Sequence, residues 1–539
     1  MAEADALIQI LFFKIFAARP ASLKDYNLII IPRGCGADTA TKEKIVKVLL
    51  LSMPDSFEHM PPVAVRMPNG ALTSLAGNVD PHHRVAVADL ILVQGRSGET
   101  VTRLMRELDP DVVGFSTMTF QRRTAARLMA LVRELKPSVR VVAGGYDPSL
   151  APEAYSQMPV DFIVRGEGEL TFRELLRALE GNACFDRICG LSYRKGDEWQ
   201  HNPGRPVSRL EGDQVGLPNR NARMLSGYTL LGRQVDVVET SRGCTYDCSF
   251  CSIIEMRGRN FHTYNFNRVI ADIRDARDHG ARTIFLVDDN ITLNVRRFEA
   301  LCQTIIDAKL NTLDYFVQGM TSAIADHGET LAPLMRRAGF RYVFLGIENI
   351  LENDLEFLKA GAKNTEHING NRGNATLKAI DYLHRHKMYV VGGLIVGNPD
   401  DTSESIQANL EFACRYVDWP YIQHPTPYPR TPMTKDFRDQ GLITNERLEE
   451  YDGTTAVVRT QHLSAEEIEY QRWKVERWMK VRHMPAALRH DPWFVIRHAP
   501  EMLAHTFRGS NFRSALGLED ERRAFERYKA IRSVEREHL

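Results

Sequence analysis

Glu239-Thr-Ser-Arg-Gly-Cys244-Thr-Tyr-Asp-Cys248-Ser-Phe-Cys251 lies near the middle of the chain, and its cysteine spacing decides the fold. The stretch follows a β-like run at residues 235–240, so the three cysteines stand on one short loop at the end of a strand. A Cys-x3-Cys-x2-Cys loop lets three thiolates converge on one inorganic cluster without a nearby fourth. A four-iron, four-sulfur cluster normally takes four cysteine ligands. Three ligands therefore leave one iron with an open site at which a small molecule can bind.

A zinc site is the alternative for the same cysteines. Three Cys and one His form a common structural zinc set, and His262 could supply the fourth ligand. Closed zinc sites usually come as paired Cys-x2-Cys units, which argues for the cluster instead. The other five cysteines are scattered, so a disulfide scaffold is not expected and a reducing compartment fits. We therefore expect a [4Fe-4S] cluster in a cytoplasmic protein.

The composition of the chain limits its partners. Its 539 residues suffice for about three or four domains. Lys plus Arg and Asp plus Glu both number 69, so no overall charge favours nucleic acid or an anionic membrane. The early apolar run at residues 6–18 is interrupted by Lys14 and is too short to span a bilayer. We expect neither a nucleic-acid partner nor a membrane span.

Residues 45–182 alternate apolar strands with amphipathic helices, the pattern of a parallel sheet with helices on both faces. Strands are predicted at 47–53, 84–90, 112–117, 139–143 and 162–164, and helices at 70–77, 99–108, 122–135 and 170–179. Five strands in this order predict a flavodoxin-like (Rossmann-type) α/β domain, which binds ligands at the carboxyl ends of its strands. Glycines and small hydroxyls at those ends allow a large ligand to approach the backbone. The residues in question are Ser116, Thr117, Gly144, Gly145, Gly166 and Glu167.

Residues 231–440 continue the βα pattern beyond the cysteines. Strands are predicted at 283–287, 315–320, 341–347 and 389–396 and from about 421, which makes six with the cysteine-bearing strand. Six parallel strands predict a partial (β/α)6 barrel whose active site lies at their carboxyl ends. Polar side chains recur there, namely Asp288, Asp289, Asn290, Gln318, Glu348 and Asn349.

The remaining segments are predicted from composition alone. Residues 1–44 look like an N-terminal extension, and residues 183–230 a linker that contains a small hairpin. Residues 441–539 form a helical C-terminal region. Trp473 and Trp478 could share one face of a helix there, and we expect that face to belong to a core rather than to stack on a substrate.

The cysteine loop resembles that of the radical S-adenosylmethionine (SAM) enzymes, whose signature is three cysteines at this spacing with an aromatic residue, here Phe250, before the last. In that family the open iron binds SAM, and one electron cleaves it to a 5′-deoxyadenosyl radical. The resemblance implies an electron donor such as flavodoxin or ferredoxin. It also implies a SAM site that comprises Phe250, Asp288, Asp289, Gln318, Glu348, Gly393 and Gly397. The Thr-Pro-Tyr-Pro segment at 426–429 resembles the sixth strand of this subgroup, although Arg430 replaces the usual glycine.

A five-stranded domain directly before such a core resembles the cobalamin-binding domain of cobalamin-dependent radical SAM enzymes. Gly144-Gly145 and Arg165-Gly-Glu167-Gly-Glu are similar to the loops that face cobalamin in that family. Domains of the methionine-synthase type carry Asp-x-His-x-x-Gly after the first strand, with the His bound to cobalt. This chain has Asp55-Ser-Phe-Glu-His59, whose spacing does not match, so His59 is not expected to ligate cobalt.

The resemblance spans about residues 45–440 and implies an enzyme that uses a [4Fe-4S] cluster, SAM and cobalamin. C-methylation of an unactivated carbon of a small-molecule substrate is the reaction it favours. An oxidative ring closure or rearrangement on a similar scaffold, as in anaerobic porphyrin cyclases, is the alternative reaction. A non-catalytic corrinoid-binding protein is the alternative from another class, against which the intact cysteine trio argues. No side chain is assigned as catalytic.

Overall fold

The computed structural model describes residues 44–57, 61–181, 184–208, 210, 214–368, 371–511, 514 and 518–538. The predicted N-terminal extension lies outside these residues except for Lys44, and His59 lies outside them too. The strands are β1 (Lys47–Ser52), β2 (Val65–Arg66), β3 (Arg84–Asp89), β4 (Val112–Ser116), β5 (Arg140–Gly144), β6 (Phe162–Val164), β7 (Leu191–Lys195), β8 (Glu198–His201), β9 (Thr229–Leu230), β10 (Arg233–Val238), β11 (Ser241–Arg242), β12 (His262–Thr263), β13 (Thr283–Leu286), β14 (Asp314–Met320), β15 (Phe340–Glu348), β16 (Thr365–Ile368), β17 (Asn371–Asn374), β18 (Tyr389–Ile395) and β19 (Trp419–Gln423).

The helices complete the α/β architecture. They are α1 (Gly70–Gly77), α2 (Ser97–Leu108), α3 (Arg122–Leu135), α4 (Tyr146–Leu150), α5 (Gly168–Glu180), α6 (Ile253–Arg257), α7 (Phe266–Asp278), α8 (Val295–Asp307), α9 (Thr321–Ala338), α10 (Glu352–Phe357), α11 (Gly361–Asn364), α12 (Thr376–Arg385), α13 (Ser403–Tyr416), α14 (Pro432–Asp439), α15 (Ala465–Arg482), α16 (Met484–His490), α17 (Pro492–Thr506) and α18 (Glu521–His538). No helix in the described part of the chain is both long and apolar enough to cross a bilayer.

The first sheet has the strand order β3-β1-β4-β5-β6-β7-β8. Its first five strands are parallel, in the flavodoxin-like order that the sequence predicts. Side chains alternate between the faces, so Leu49 and Leu51 pack with α2 and α3 while Val48 and Leu50 pack with α1 and α5. The predicted hairpin within the linker is present as β7 and β8, and it extends this sheet through antiparallel pairing.

The second sheet has the order β19-β18-β15-β14-β13-β10-β9-β2. Six of its strands, β10, β13, β14, β15, β18 and β19, are parallel, as expected for the partial barrel. Cys302 on α8 is fully buried in the core between helices and sheet. The last two strands, β9 and β2, pair antiparallel at the edge. Because β2 follows β1 in the chain, this pairing ties the first half of the protein to the second sheet.

Three features differ from the sequence prediction. The sequence predicts a helix over residues 329–338, but helix α9 begins at Thr321, and its added first turns are buried from Thr321 to Ala325. The β16–β17 hairpin was not anticipated. Trp473 is buried, as expected. The expectation that Trp478 also lies in the core is wrong, because Trp478 is 53% exposed. Five positions separate the two residues, so they point about 140° apart around a helix of 3.6 residues per turn.

Candidate active site

The cysteine loop runs from the end of β11 to the start of α6. Cys248 is buried, and Cys244 and Cys251 are half-buried. The amide of Cys251 donates to the carbonyl oxygen of Cys248 at 3.1 Å, which folds the two ligands into one turn. Ser249 N donates to Leu358 O at 3.0 Å, so the tip of the loop is attached to the segment that follows β15.

Two carboxylates after β13 hold the beginning of this loop. Asp288 is buried and accepts hydrogen bonds from the amide of Thr240 at 2.6 Å and from the hydroxyls of Thr240 and Ser241. Burial raises the pKa of Asp288 to about 6, although these donors act in the opposite direction. Asp289 accepts from Gly243 N at 2.7 Å. Both side chains therefore position the cysteine loop, and their predicted contact with SAM stays a prediction.

The thiol spacing distinguishes a cluster from a single metal ion. Tetrahedral zinc with Zn–S bonds of 2.3 Å would bring sulfur atoms to about 3.8 Å from one another. Among the described residues, the three cysteines and His262 do not form a set whose ligand atoms all lie within 4.8 Å of one another. His262 instead lies on β12, opposite Arg242. The described residues therefore do not gather the four ligands that a tetrahedral zinc site needs, whereas three thiols without a fourth suit a [4Fe-4S] cluster with one open iron.

The predicted SAM residues of the barrel lie on neighbouring strands. Gln318 is in β14, Glu348 ends β15, and Gly393 is in β18. Glu348 is buried and has a φ of 60° beside an irregularity in the β15–β18 pairing. A non-glycine residue in the left-handed region is strained, and such strain is concentrated at functional sites.

Two glycines, Gly393 in β18 and Gly397 just after it, allow other side chains to pack closely against the backbone. A Cβ on Gly393 would lie 2.8 Å from Cζ of Phe344. Gly397 has a φ of 103°, and a Cβ there would lie 2.9 Å from Cγ2 of Ile468 on α15. The amide of Gly397 donates to Asp401 at 2.7 Å, which fixes the turn that follows β18.

Phe250 is the last residue of the predicted SAM site, and Arg430 is the departure from the family pattern that the sequence shows. Phe250 packs against the apolar cluster that includes Leu355, Met433 and Phe437. Arg430 has a φ of 66°, so the residue after the Thr-Pro-Tyr-Pro segment adopts the left-handed conformation that favours glycine.

A cavity of about 370 Å³ lies between the first sheet and the cysteine loop. Glu239, Arg242, Met256 and Arg257 line it from the second half of the chain. The residues predicted to bind cobalamin line it from the first half, namely Ser116, Thr117, Gly144, Gly145, Gly166 and Glu167. The structure therefore brings all six predicted residues together at one cavity.

The cavity wall is suited to a large ligand with amide groups. Gly145 has a φ of 101°, and a Cβ there would lie 2.8 Å from the carbonyl oxygen of Thr117, so only glycine keeps this approach open. Glu167 Oε1 is buried and lies 3.7 Å from Arg242 Nη1, but it accepts no hydrogen bond from the described residues. A buried acceptor without a donor is costly, and a carboxamide of a corrin could supply that donor. These residues fit cobalamin.

Arg242 is a residue of the site that the sequence prediction missed. It is buried, with Nη2 2.6 Å from Glu169 Oε1 and Nε 2.8 Å from Glu239 Oε2. Burial acts to raise the pKa of Glu169, but the charge and hydrogen bonds of Arg242 outweigh it and lower that pKa to about 2. The sequence could have indicated Arg242 as a site residue, because it lies two residues before Cys244. Its ion-pair partner Glu169 could not be predicted, since it lies 73 residues upstream.

Comparisons with known proteins give the same two-part organisation. The B12 binding domain family matches residues 59–176, and the Radical SAM superfamily matches residues 238–413. An uncharacterized methyltransferase from Pyrococcus horikoshii is 28% identical over 429 residues, which cover 79% of this chain and 90% of the relative. The anaerobic magnesium-protoporphyrin IX monomethyl ester cyclase of Cereibacter sphaeroides is 26% identical over 455 residues, which cover 80% of this chain and 68% of that protein.

A solved structure shares the fold. The radical SAM methyltransferase TsrM from Kitasatospora setae, with cobalamin and a [4Fe-4S] cluster bound, superposes with a TM-score of 0.60. The two chains are 20% identical, and the match covers 74% of this chain and 75% of TsrM.

Proposed function

This chain belongs to the cobalamin-dependent radical SAM enzymes, and we propose that it methylates an unactivated carbon of a small molecule. The observation that carries the proposal is the shared cavity. Residues expected to hold cobalamin line one side of it, and residues that flank the cysteines line the other. A methyl carrier and a radical source must act on the same substrate carbon, and this arrangement keeps them close.

The geometry of the site supports the cofactor-binding roles that we propose. Cys244, Cys248 and Cys251 would hold the [4Fe-4S] cluster, and the cavity residues of the first sheet would hold cobalamin. Bound together, the cluster, SAM and cobalamin supply the radical that activates the carbon and the methyl group that it receives. Gln318, Glu348, Gly393 and Gly397 would contact SAM across the carboxyl ends of the barrel strands.

Other side chains position these groups and limit the access of water. Asp288 and Asp289 hold the backbone that leads into the cysteines. Arg242 joins that backbone to α5 through Glu169. Ile468 on α15 lies against the Gly397 turn, so the C-terminal region covers this end of the barrel. A site closed in this way protects a reactive carbon radical from side reactions.

The names of relatives support methyl transfer. The Pyrococcus horikoshii relative and TsrM are both named methyltransferases. Oxidative ring closure is the second candidate, because the Cereibacter sphaeroides relative is named a cyclase and is nearly as similar.

The test of the proposed function is product analysis by mass spectrometry. Anaerobic protein reconstituted with iron, sulfide and cobalamin is incubated with methyl-deuterated SAM and a small-molecule extract of the cells that produce it. A product that gains CD3, together with 5′-deoxyadenosine, supports C-methylation. 5′-Deoxyadenosine with a dehydrogenated product that lacks CD3 would favour the cyclase. Intact SAM with bound corrinoid would favour a non-catalytic binding protein.

We also propose that the protein acts in the cytoplasm and receives its electron from a flavodoxin or ferredoxin. The scattered cysteines and the oxygen sensitivity expected of an open-site cluster support a reducing compartment. Formation of 5′-deoxyadenosine with reduced flavodoxin in place of dithionite tests the donor.

A further inference from the structure

Helix α17 carries an exposed apolar stripe that the reaction does not explain. Trp493, Ile496 and Leu503 are 83%, 64% and 39% exposed. They are spaced three and seven residues apart, which places them along one side of the helix. An isolated exposed apolar residue is ordinary, but a contiguous stripe with a nearly fully exposed Trp marks an interaction site.

The helix is firmly attached to the protein, so the stripe is not the product of a frayed end. Asp491, directly before α17, is buried and accepts a hydrogen bond from the hydroxyl of Tyr342 at 2.6 Å. Arg341 donates to His490 O at 3.2 Å. Phe494, on the opposite side of the helix from the stripe, is buried. The helix therefore presents the stripe in a fixed orientation.

The apolar surface continues beyond the helix. Val481 and Leu503 line one small cavity with Met484 and Val495, so the stripe adjoins the end of α15. Val481 is itself exposed, as is Leu488 on α16. Together with the stripe, Val481 and Leu488 form what we call the α17 face.

The exposed charges on residues 481–506, which carry the α17 face, are mainly positive. Arg482, Arg489 and Arg497 are exposed, whereas Glu501 is the exposed acid between residues 481 and 506. His498 Nδ1 lies 3.3 Å from Glu501, so this acid already has a partner. Apolar side chains, a Trp and flanking arginines are the features of helices that lie in a lipid interface.

We propose that the α17 face docks the protein on an anionic lipid surface. Trp493, Ile496 and Leu503 enter the headgroup layer, and the three arginines contact lipid phosphates. A second copy of the chain fits less well, because a symmetric contact would bring the same arginines together. The inference does not depend on the proposed reaction.

Docking in this orientation leaves the candidate active site accessible. Trp419 begins β19 and Tyr389 begins β18, and both line the cavity beneath α17. The α17 face therefore lies at the amino ends of the barrel strands. The cysteine loop and the cobalamin cavity lie at the carboxyl ends, which is the opposite end of the strands.

Flotation of the full-length protein with vesicles tests the proposal. We expect it to float with vesicles of phosphatidylcholine and phosphatidylglycerol, more weakly with phosphatidylcholine alone, and less as salt is added. Trp493→Ser with Ile496→Ser should lower binding about tenfold or more, because most of the inserted apolar surface is lost. The triple change Arg482→Gln, Arg489→Gln and Arg497→Gln should remove the preference for anionic vesicles.

Leu377→Ser is the matched control, since Leu377 is also an exposed apolar residue but lies on α12. It should leave binding unchanged. The proposal is overturned if the protein does not float, or if binding survives the Trp493 and Ile496 changes. It is also overturned if those changes split a dimer in solution while vesicles are not bound, in which case a second copy covers the face.

Discussion

Arg242 Nη2 lies 2.6 Å from Glu169 Oε1, so a buried ion pair joins the cysteine loop to the first turn of α5. Glu169 also accepts a hydrogen bond from Ser74 on α1 at 2.7 Å. Two helices of the first domain and the loop of the second are thereby held in one arrangement. The cavity between them depends on this arrangement, because Arg242 and Glu169 both line it.

Breaking this pair should destabilise the protein and weaken cobalamin binding. Arg242→Met leaves the carboxylate of Glu169 buried without its cation, which costs about 3–5 kcal/mol. Denaturant unfolding and the absorbance of retained cobalamin measure the two effects. Arg177→Met is the matched control, because its partner Asp80 is paired at the surface and the loss should be about 1 kcal/mol or less. If the two changes lower the free energy of unfolding and the retained cobalamin equally, the buried pair has no special role.

The loss of folding stability at acid pH should depend on the carboxylate of Glu169. The folded-state pKa of Glu169 is about 2, below its usual 4.5, so ionised Glu169 favours the folded protein. This stability is complete above about pH 4.5 and is lost as the pH falls towards 2. Glu169→Gln should therefore lose stability at neutral pH and show a flatter decline across that window, as measured by circular dichroism. If the stability of the variant falls as steeply between pH 4.5 and pH 2 as that of the wild type, Glu169 is not the group responsible.

Asp354 and Asp401 should make the Gly397 turn sensitive to pH near neutrality. Burial and the neighbouring charge of Asp401 raise the pKa of Asp354 to about 7. A raised folded-state pKa favours the protonated form, so stability is highest below about pH 4 and falls as the pH rises to about 7. Asp401 accepts from the amides of Gly397 and Asn398 at 2.7 and 2.9 Å.

Asp354→Asn should remove this pH dependence while the turn is kept. The free energy of unfolding, measured with denaturant at pH 5 and pH 8, should decline with pH in the wild type and change less in the variant. A decline of the same size in both proteins would assign the effect to another group.

Cys248→Ala should abolish the cluster. Iron content and 5′-deoxyadenosine formation should both fall to background, because the two remaining thiols cannot hold a cluster that needs three protein ligands. Cys302→Ala is the control, because Cys302 is fully buried in the barrel core and far in sequence from the loop. It should retain iron and activity. Bound zinc in place of iron in the wild type would overturn the cluster assignment.

Gly166→Val should weaken cobalamin binding without unfolding the domain. Gly166 has a φ of 75° and lines the cavity, and no atom lies within 4 Å of an added Cβ. Gly196 has a φ of 67° and equal space, but it lies in the β7–β8 turn, away from the cavity. Both changes carry a similar backbone strain, of order 1–3 kcal/mol. Only Gly166→Val should raise the dissociation constant for cobalamin, and equal losses would assign the effect to strain.

The order of elements could be predicted because it depends on local patterns. Continuous apolar runs such as Leu49–Leu51 predicted buried parallel strands, and the structure confirms five of them in the first sheet and six in the second. The glycines and hydroxyls of the first domain were assigned to one edge of a sheet, and all six line one cavity. Their contact with cobalamin stays a prediction.

The sequence by itself determined the cysteine trio, the two sheets and the order in which the domains follow one another, because each of these depends on spacing within a short stretch. The tertiary structure decided which distant side chains meet. The pairing of Arg242 with Glu169, the hydrogen bonds from Thr240 to Asp288 and the exposure of Trp478 follow from how helices and sheets pack. Buried polar groups need partners wherever the fold brings them, and the spacing of residues along the chain does not specify which partners those are.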